Sequence, residues 1–128
     1  MENRLAPKGK KRVLIVEDDQ ALGHALELKL LQAGYRIDWA KNGQEALAAW
    51  DQHTPDVIIL DLLMPVMDGV DFLKELRVER EEKVPVIVLT VMTSGVLFDQ
   101  CKAIGITDYL IKDKVSLDDV LACIRKLG

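Results

Sequence analysis

Short apolar runs recur along the chain, each closed by a polar residue. Arg12-Val13-Leu14-Ile15-Val16 ends in Glu17-Asp18-Asp19, and Val57-Ile58-Ile59-Leu60 ends in Asp61. Val84 to Leu89, with Pro85 near its start, ends in Thr90, and Ile106 to Ile111 ends in Lys112. Runs of this length, rich in β-branched residues, suit strands buried on both faces. Tyr35 to Ala40 alternates polar and apolar and reads as a more exposed strand. Helical periodicity fills the gaps. Leu22, Leu26, Leu30 and Ala33 share a stripe that Gly34 closes. Asn42 and Glu45 have capping-box spacing ahead of Ala46, Leu47 and Trp50. Asp68-Gly69 opens a helix through Phe72, Leu73 and Leu76, and Val78 to Lys83 reads as its solvated end and a loop. A fourth helix runs from Val96 to Ile104 between Gly95 and Gly105. The last is marked by a Ser116–Asp119 box, a Val115–Val120 staple and a stripe of Leu117, Val120, Leu121, Ile124 and Leu127.

Five strands alternating with five helices predict an α/β, doubly wound parallel sheet with right-handed crossovers. At 128 residues the chain fits one such domain, spanning residues 12–128, behind a mobile tail at 1–11 that carries Lys8, Lys10 and Lys11. A net charge of -4 argues against a nucleic-acid surface. No apolar stretch reaches the length of a membrane span, and the first residues lack a signal-peptide core, so a cytoplasmic protein is expected. Cys101 and Cys123 fall in helical patterns without metal or redox spacing and read as packing residues. His24 and His53 belong on the surface.

The strand ends change the picture. In such sheets ligands bind beyond the carboxyl ends of the strands, beside the switch in strand order. With the order 2-1-3-4-5, Glu17 and Asp18 of the first strand face Asp61 of the third, and Thr90 and Lys112 close the far side. Like charges ~4 Å apart repel by about 4 kcal/mol at an effective dielectric near 20. Three clustered carboxylates therefore either hold a proton or gather a cation, and for a cation the oxygen ligands favour Mg²⁺, with Mn²⁺ as a substitute. Mg²⁺ held by few carboxylates commonly meets phosphate oxygens. Asp61 can then attack phosphorus as a nucleophile, while Lys112 and Thr90 offer an ammonium and a hydroxyl to the phosphoryl oxygens. Asp19 reads as a helix cap rather than a fourth ligand.

The segments V-E-D-D, I-I-L-D-L-L-M-P-V-M-D-G, V-I-V-L-T and D-Y-L-I-K resemble the receiver domain of two-component response regulators, from Arg12 to the end of the chain. The resemblance implies a flavodoxin-like fold with Asp61 as phosphoacceptor. Glu17, Asp18, Asp61 and the backbone carbonyl of Leu63 would hold the metal. It makes Thr90 the switch hydroxyl, Lys112 the phosphate-binding lysine and Tyr109 the aromatic that turns inward on activation. The phosphoryl donor would be a histidine kinase or histidine phosphotransfer protein. No effector segment follows Gly128, so output would pass through a partner surface or through domains of a longer parent chain.

Three positions depart from the family pattern. Asp113 follows Lys112 where proline is usual, which favours a trans bond and a reshaped loop, since a cis bond here costs roughly 3–4 kcal/mol. Val91 replaces a small residue after Thr90, and Ile106 replaces an alanine. Leu63 and Met92 flank the path of attacking water without a polar group to orient it, so slow phosphate loss is expected. Two other classes compete. A phosphatase of the haloacid dehalogenase type would need a second acid where Leu63 stands, and a receiver-like interaction module that is not phosphorylated would need none of the polar set.

Overall fold

The computed structural model describes residues 11–127; the expected tail lies outside them except for Lys11. Strands β1 (Arg12–Val16), β2 (Arg36–Ala40), β3 (Val57–Leu60), β4 (Val86–Thr90) and β5 (Asp108–Ile111) alternate with five helices. These are α1 (Gln20–Gln32), α2 (Gly43–Gln52), α3 (Gly69–Lys74), α4 (Gly95–Ile104) and α5 (Leu117–Lys126). All strand pairs are parallel, in the expected order β2-β1-β3-β4-β5.

Period-two alternation sends the strand residues to two cores. Leu14, Val16, Ile58, Leu60, Val86 and Val88 meet Ala46 and Trp50 of α2, Phe72 and Leu73 of α3, and Cys101 of α4. Val13, Ile15, Val57, Ile59, Ile87 and Leu89 meet Leu26 and Leu30 of α1 and Val120, Leu121 and Ile124 of α5. Each such aliphatic side chain contributes about 1.5–3 kcal/mol by leaving water. Cys101 is buried and Cys123 half-buried, both as free thiols, and both histidines are exposed.

Backbone partners explain where the elements begin and end. The α1 terminus is a Schellman motif: Gly34 takes φ +98°, its N–H bonds the Leu31 carbonyl, and the Tyr35 N–H returns to Leu30. Tyr35 is thereby spent on the helix, and β2 starts one residue later than expected. The Asn42 side chain caps α2, but Glu45 answers the N–H of Lys41 rather than that of Asn42, so the expected box is offset by one residue. The Ser116–Asp119 box is complete. The Lys112–Asp113 bond is trans, within a 3₁₀ turn over Lys112–Lys114.

After α3 the chain continues as a π-helical turn over Glu75–Glu79, where a plain helix end and loop are expected. From this turn the Arg77 guanidinium donates to the carbonyls of Gly105, Glu82 and Val84 at 3.0, 2.9 and 2.8 Å. The Val84 carbonyl so held lies just ahead of β4, which starts at Val86, and the bond to Gly105 ties down the loop ahead of β5. Replacing Arg77 with Met leaves three half-buried carbonyls without their donor. Stability is expected to fall by about 2 kcal/mol, read as a lower urea midpoint at unchanged slope.

Candidate functional site

Register builds the site. Val16 pairs with Leu60 and Thr90 with Ile111, so Glu17 and Asp61 leave neighbouring strands side by side and Lys112 leaves beside Thr90. The Asp61 N–H still bonds the Val16 carbonyl at 3.0 Å, which fixes the acid at the rim. Behind it, Gly69 opens α3 so close that a Cβ would lie 2.4 Å from the Asp61 carbonyl oxygen. Only glycine lets α3 seat against this peptide.

Glu17, Asp61 and Thr90 are buried, at 2%, 4% and 0% exposure, whereas Asp18 is exposed. Carboxylate oxygens of Glu17, Asp18 and Asp61 lie within 4.8 Å of one another. Lys112 Nζ bridges the two buried acids, 2.9 Å from Glu17 Oε1 and 3.0 Å from Asp61 Oδ2. The Leu63 N–H donates to Asp61 Oδ1 at 3.3 Å, and the Asp19 N–H to Glu17 Oε2 at 3.0 Å. Asp19 itself caps α1 through the Leu22 N–H, as expected.

Burial pushes the Glu17 carboxyl up to about 7, against the pull of the Lys112 and Asp19 hydrogen bonds and with a smaller push from Asp61. Burial also draws Lys112 down, but its bonds to Glu17 and Asp61 outweigh this and leave it above its ordinary value. With all three acids ionised, one ammonium leaves two negative charges uncompensated. The donors are hard oxygens. That set fits a divalent ion of the Mg²⁺ class.

Thr90 and Tyr109 share one neighbour. Thr90 Oγ1 accepts from the Met92 N–H at 3.3 Å, and the Tyr109 hydroxyl donates to the Met92 carbonyl at 2.9 Å. The half-buried Tyr109 ring meets Phe98 edge-on at 5.3 Å between centroids. Leu63 (60% exposed) and Met92 line a shallow hollow of about 190 Å³ with Leu62, Asp68, Val70 and Leu97. Asp68, the polar member, already caps α3 through the Asp71 N–H. Every site residue expected from the sequence therefore lies on one rim of the sheet or on the adjoining β5. Phe98 and Trp39, whose indole donates to the Glu17 carbonyl, were not expected there. Phe98 was legible only as part of a helical pattern, and Trp39 only as an apolar position in an alternating strand.

Among the described residues no helix is long and apolar enough to cross a membrane. The family model for the response regulator receiver domain matches residues 13–125. The transcriptional regulatory protein TrcR of Mycobacterium tuberculosis is 35% identical over 118 residues, covering 91% of this chain and 44% of the relative. The probable transcriptional regulator ycf27 of Guillardia theta is 38% identical over 105 residues, covering 80% of this chain and 40% of the relative. The chain thus spans about two fifths of the length of these relatives. The solved chemotaxis protein CheY4 of Vibrio cholerae superposes with a TM-score of 0.85 at 33% identity, covering 94% of this chain and 100% of that one. Fold, strand order and sequence agree, and the chain belongs to the receiver domains of two-component response regulators, regulatory modules of phosphorylation-controlled signalling.

Proposed function

We propose that Asp61 accepts a phosphoryl group from a histidine kinase or histidine phosphotransfer protein, and that the modified carboxylate re-sets a partner-binding surface. The observation that carries this reading is the convergence of Glu17, Asp18 and Asp61 around the Lys112 ammonium. A carboxylate oxygen of Asp61 forms the new bond to phosphorus as the bond to the donor's imidazole nitrogen breaks, and that nitrogen keeps the electron pair. Lys112 neutralises charge on the phosphoryl oxygens, and the Thr90 hydroxyl donates to one of them. Mg²⁺, held by Glu17, Asp18, Asp61 and the Leu63 carbonyl, supplies further positive charge there when bound.

The same reading supplies the switch. When the Thr90 hydroxyl turns to the phosphoryl group it releases the Met92 N–H, and Met92 is the residue whose carbonyl holds Tyr109. A change at Asp61 thereby reaches the α4–β5 surface through a single peptide segment. Output follows from that surface, through a separate partner or through further domains of a longer chain.

Incubation with acetyl phosphate and Mg²⁺ tests the proposal: a mass gain of one phosphoryl group that requires Mg²⁺ is expected. Catalytic turnover without a stable adduct favours a phosphatase, and no reaction favours a module without phosphorylation. Phosphate loss from the adduct should be slow, because Leu63 and Met92 orient no water. The double replacement Leu63→Asn with Met92→Glu is expected to speed that loss several-fold. An unchanged rate rejects the apolar pair as its cause.

A further inference from the structure

The last register pair between β1 and β2 is Val16 with Ala40, and the Glu17 N–H closes the ladder on the Ala40 carbonyl at 2.9 Å. Beyond it the two strands part, and the Glu17 carbonyl takes its donor from a side chain, the indole Nε1 of half-buried Trp39 at 2.8 Å. The ring reaches this position because residue 23, on α1, is glycine. A Cβ there would stand 2.1 Å from Trp39 Cζ2 and 2.8 Å from Nε1. The Lys41 ammonium stands over the same ring, 5.9 Å from its centroid.

The carbonyl so held belongs to the peptide joining Glu17 to Asp18. Glu17 is fixed by its own bonds to Lys112 and Asp19. Asp18 is exposed, so its orientation depends on the peptide that carries it. We propose that Trp39 is a positioning residue for the divalent-ion site, with Gly23 as the seat of its ring. Its indole N–H sets the plane of the Glu17–Asp18 peptide and with it the spacing of the acids. This rests on the reading of Glu17, Asp18 and Asp61 as ion ligands. Partners that orient ligands from behind in this way typically change metal affinity 10–100-fold when removed.

The test is calorimetric titration of the full chain with Mg²⁺, comparing the parent with Trp39→Phe, which keeps a ring and removes the N–H. About tenfold weaker Mg²⁺ binding is expected. The parent's tryptophan emission should respond to Mg²⁺, and the Trp39→Phe variant, which keeps Trp50, should lose that response. Urea unfolding in EDTA separates the two roles: a lower midpoint with unchanged Mg²⁺ affinity makes Trp39 merely structural and overturns the proposal. Equal affinity with equal stability overturns it too. Should Trp39→Phe not fold, Gly23→Ala displaces the ring by a substitution that itself favours the helix, and weaker Mg²⁺ binding is again expected. A parent chain that binds no Mg²⁺ removes the ion-site reading itself; a parent that binds it beside unaffected variants removes only the role of Trp39.

Discussion

Asp61→Asn is expected to abolish phosphoryl uptake from acetyl phosphate, with no mass gain at any Mg²⁺ concentration. The amide is no nucleophile toward phosphorus, and no other described acid is placed to replace it. Glu17 is bound by Lys112 and Asp19, and Asp18 faces solvent. The fold should survive, because one of three mutually repelling carboxylates has gone while Lys112 keeps its bond to Glu17. The urea midpoint measured in EDTA is expected not to fall. A retained mass gain assigns phosphorylation elsewhere, and a collapsed midpoint makes Asp61 a structural residue instead.

Lys112→Met acts on the fold as well as on the chemistry. Its ammonium bridges Glu17 and Asp61, and all three side chains are largely removed from water. Leaving two buried acids without their cation is expected to lower stability by about 3 kcal/mol at pH 8 in EDTA. The loss should shrink towards pH 6, and the sign follows from Glu17. Its folded value of about 7 lies above its ordinary 4.5, so the folded state holds the proton more tightly than the unfolded chain does. That contribution to stability is full below about 4.5 and is lost as pH rises through about 7. Removing Lys112 takes away a group that draws Glu17 down, which moves the window upward. Added Mg²⁺ should restore part of the stability at pH 8. Phosphoryl uptake is expected to slow by about 10²-fold, as when one preorganised donor is removed from a site of developing charge. Chemical unfolding at pH 6 and pH 8 checks the first effect, and the time course of mass gain the second.

The strands and their terminal acids were legible because a buried β-branched run has few places to end. A carboxylate directly after Val16 or Leu60 must stand at the edge of the sheet. Strand starts were less legible. Val84 and Ile106 are as apolar as their neighbours, yet the Val84 carbonyl goes to Arg77 and the ladder reaches only Asp108 on β5. The π-helical turn at Glu75–Glu79 has no signature in hydrophobic spacing, so the clamp that Arg77 makes from it was invisible. Trp39 showed the same limit: its role depends on the space above Gly23, two elements that meet only after folding.

The Arg77 clamp has a mechanical consequence for α4. Gly105, which ends that helix, is tied through its carbonyl to Arg77, whereas the opposite end at Gly95 follows the loop from Thr90. On the proposed phosphoacceptor role of Asp61, a push at the Thr90 end would turn this helix about the end that Arg77 holds. Ten residues at 1.5 Å each make it about 15 Å long, so a tilt of roughly 10° about Gly105 carries Gly95 through about 2.6 Å.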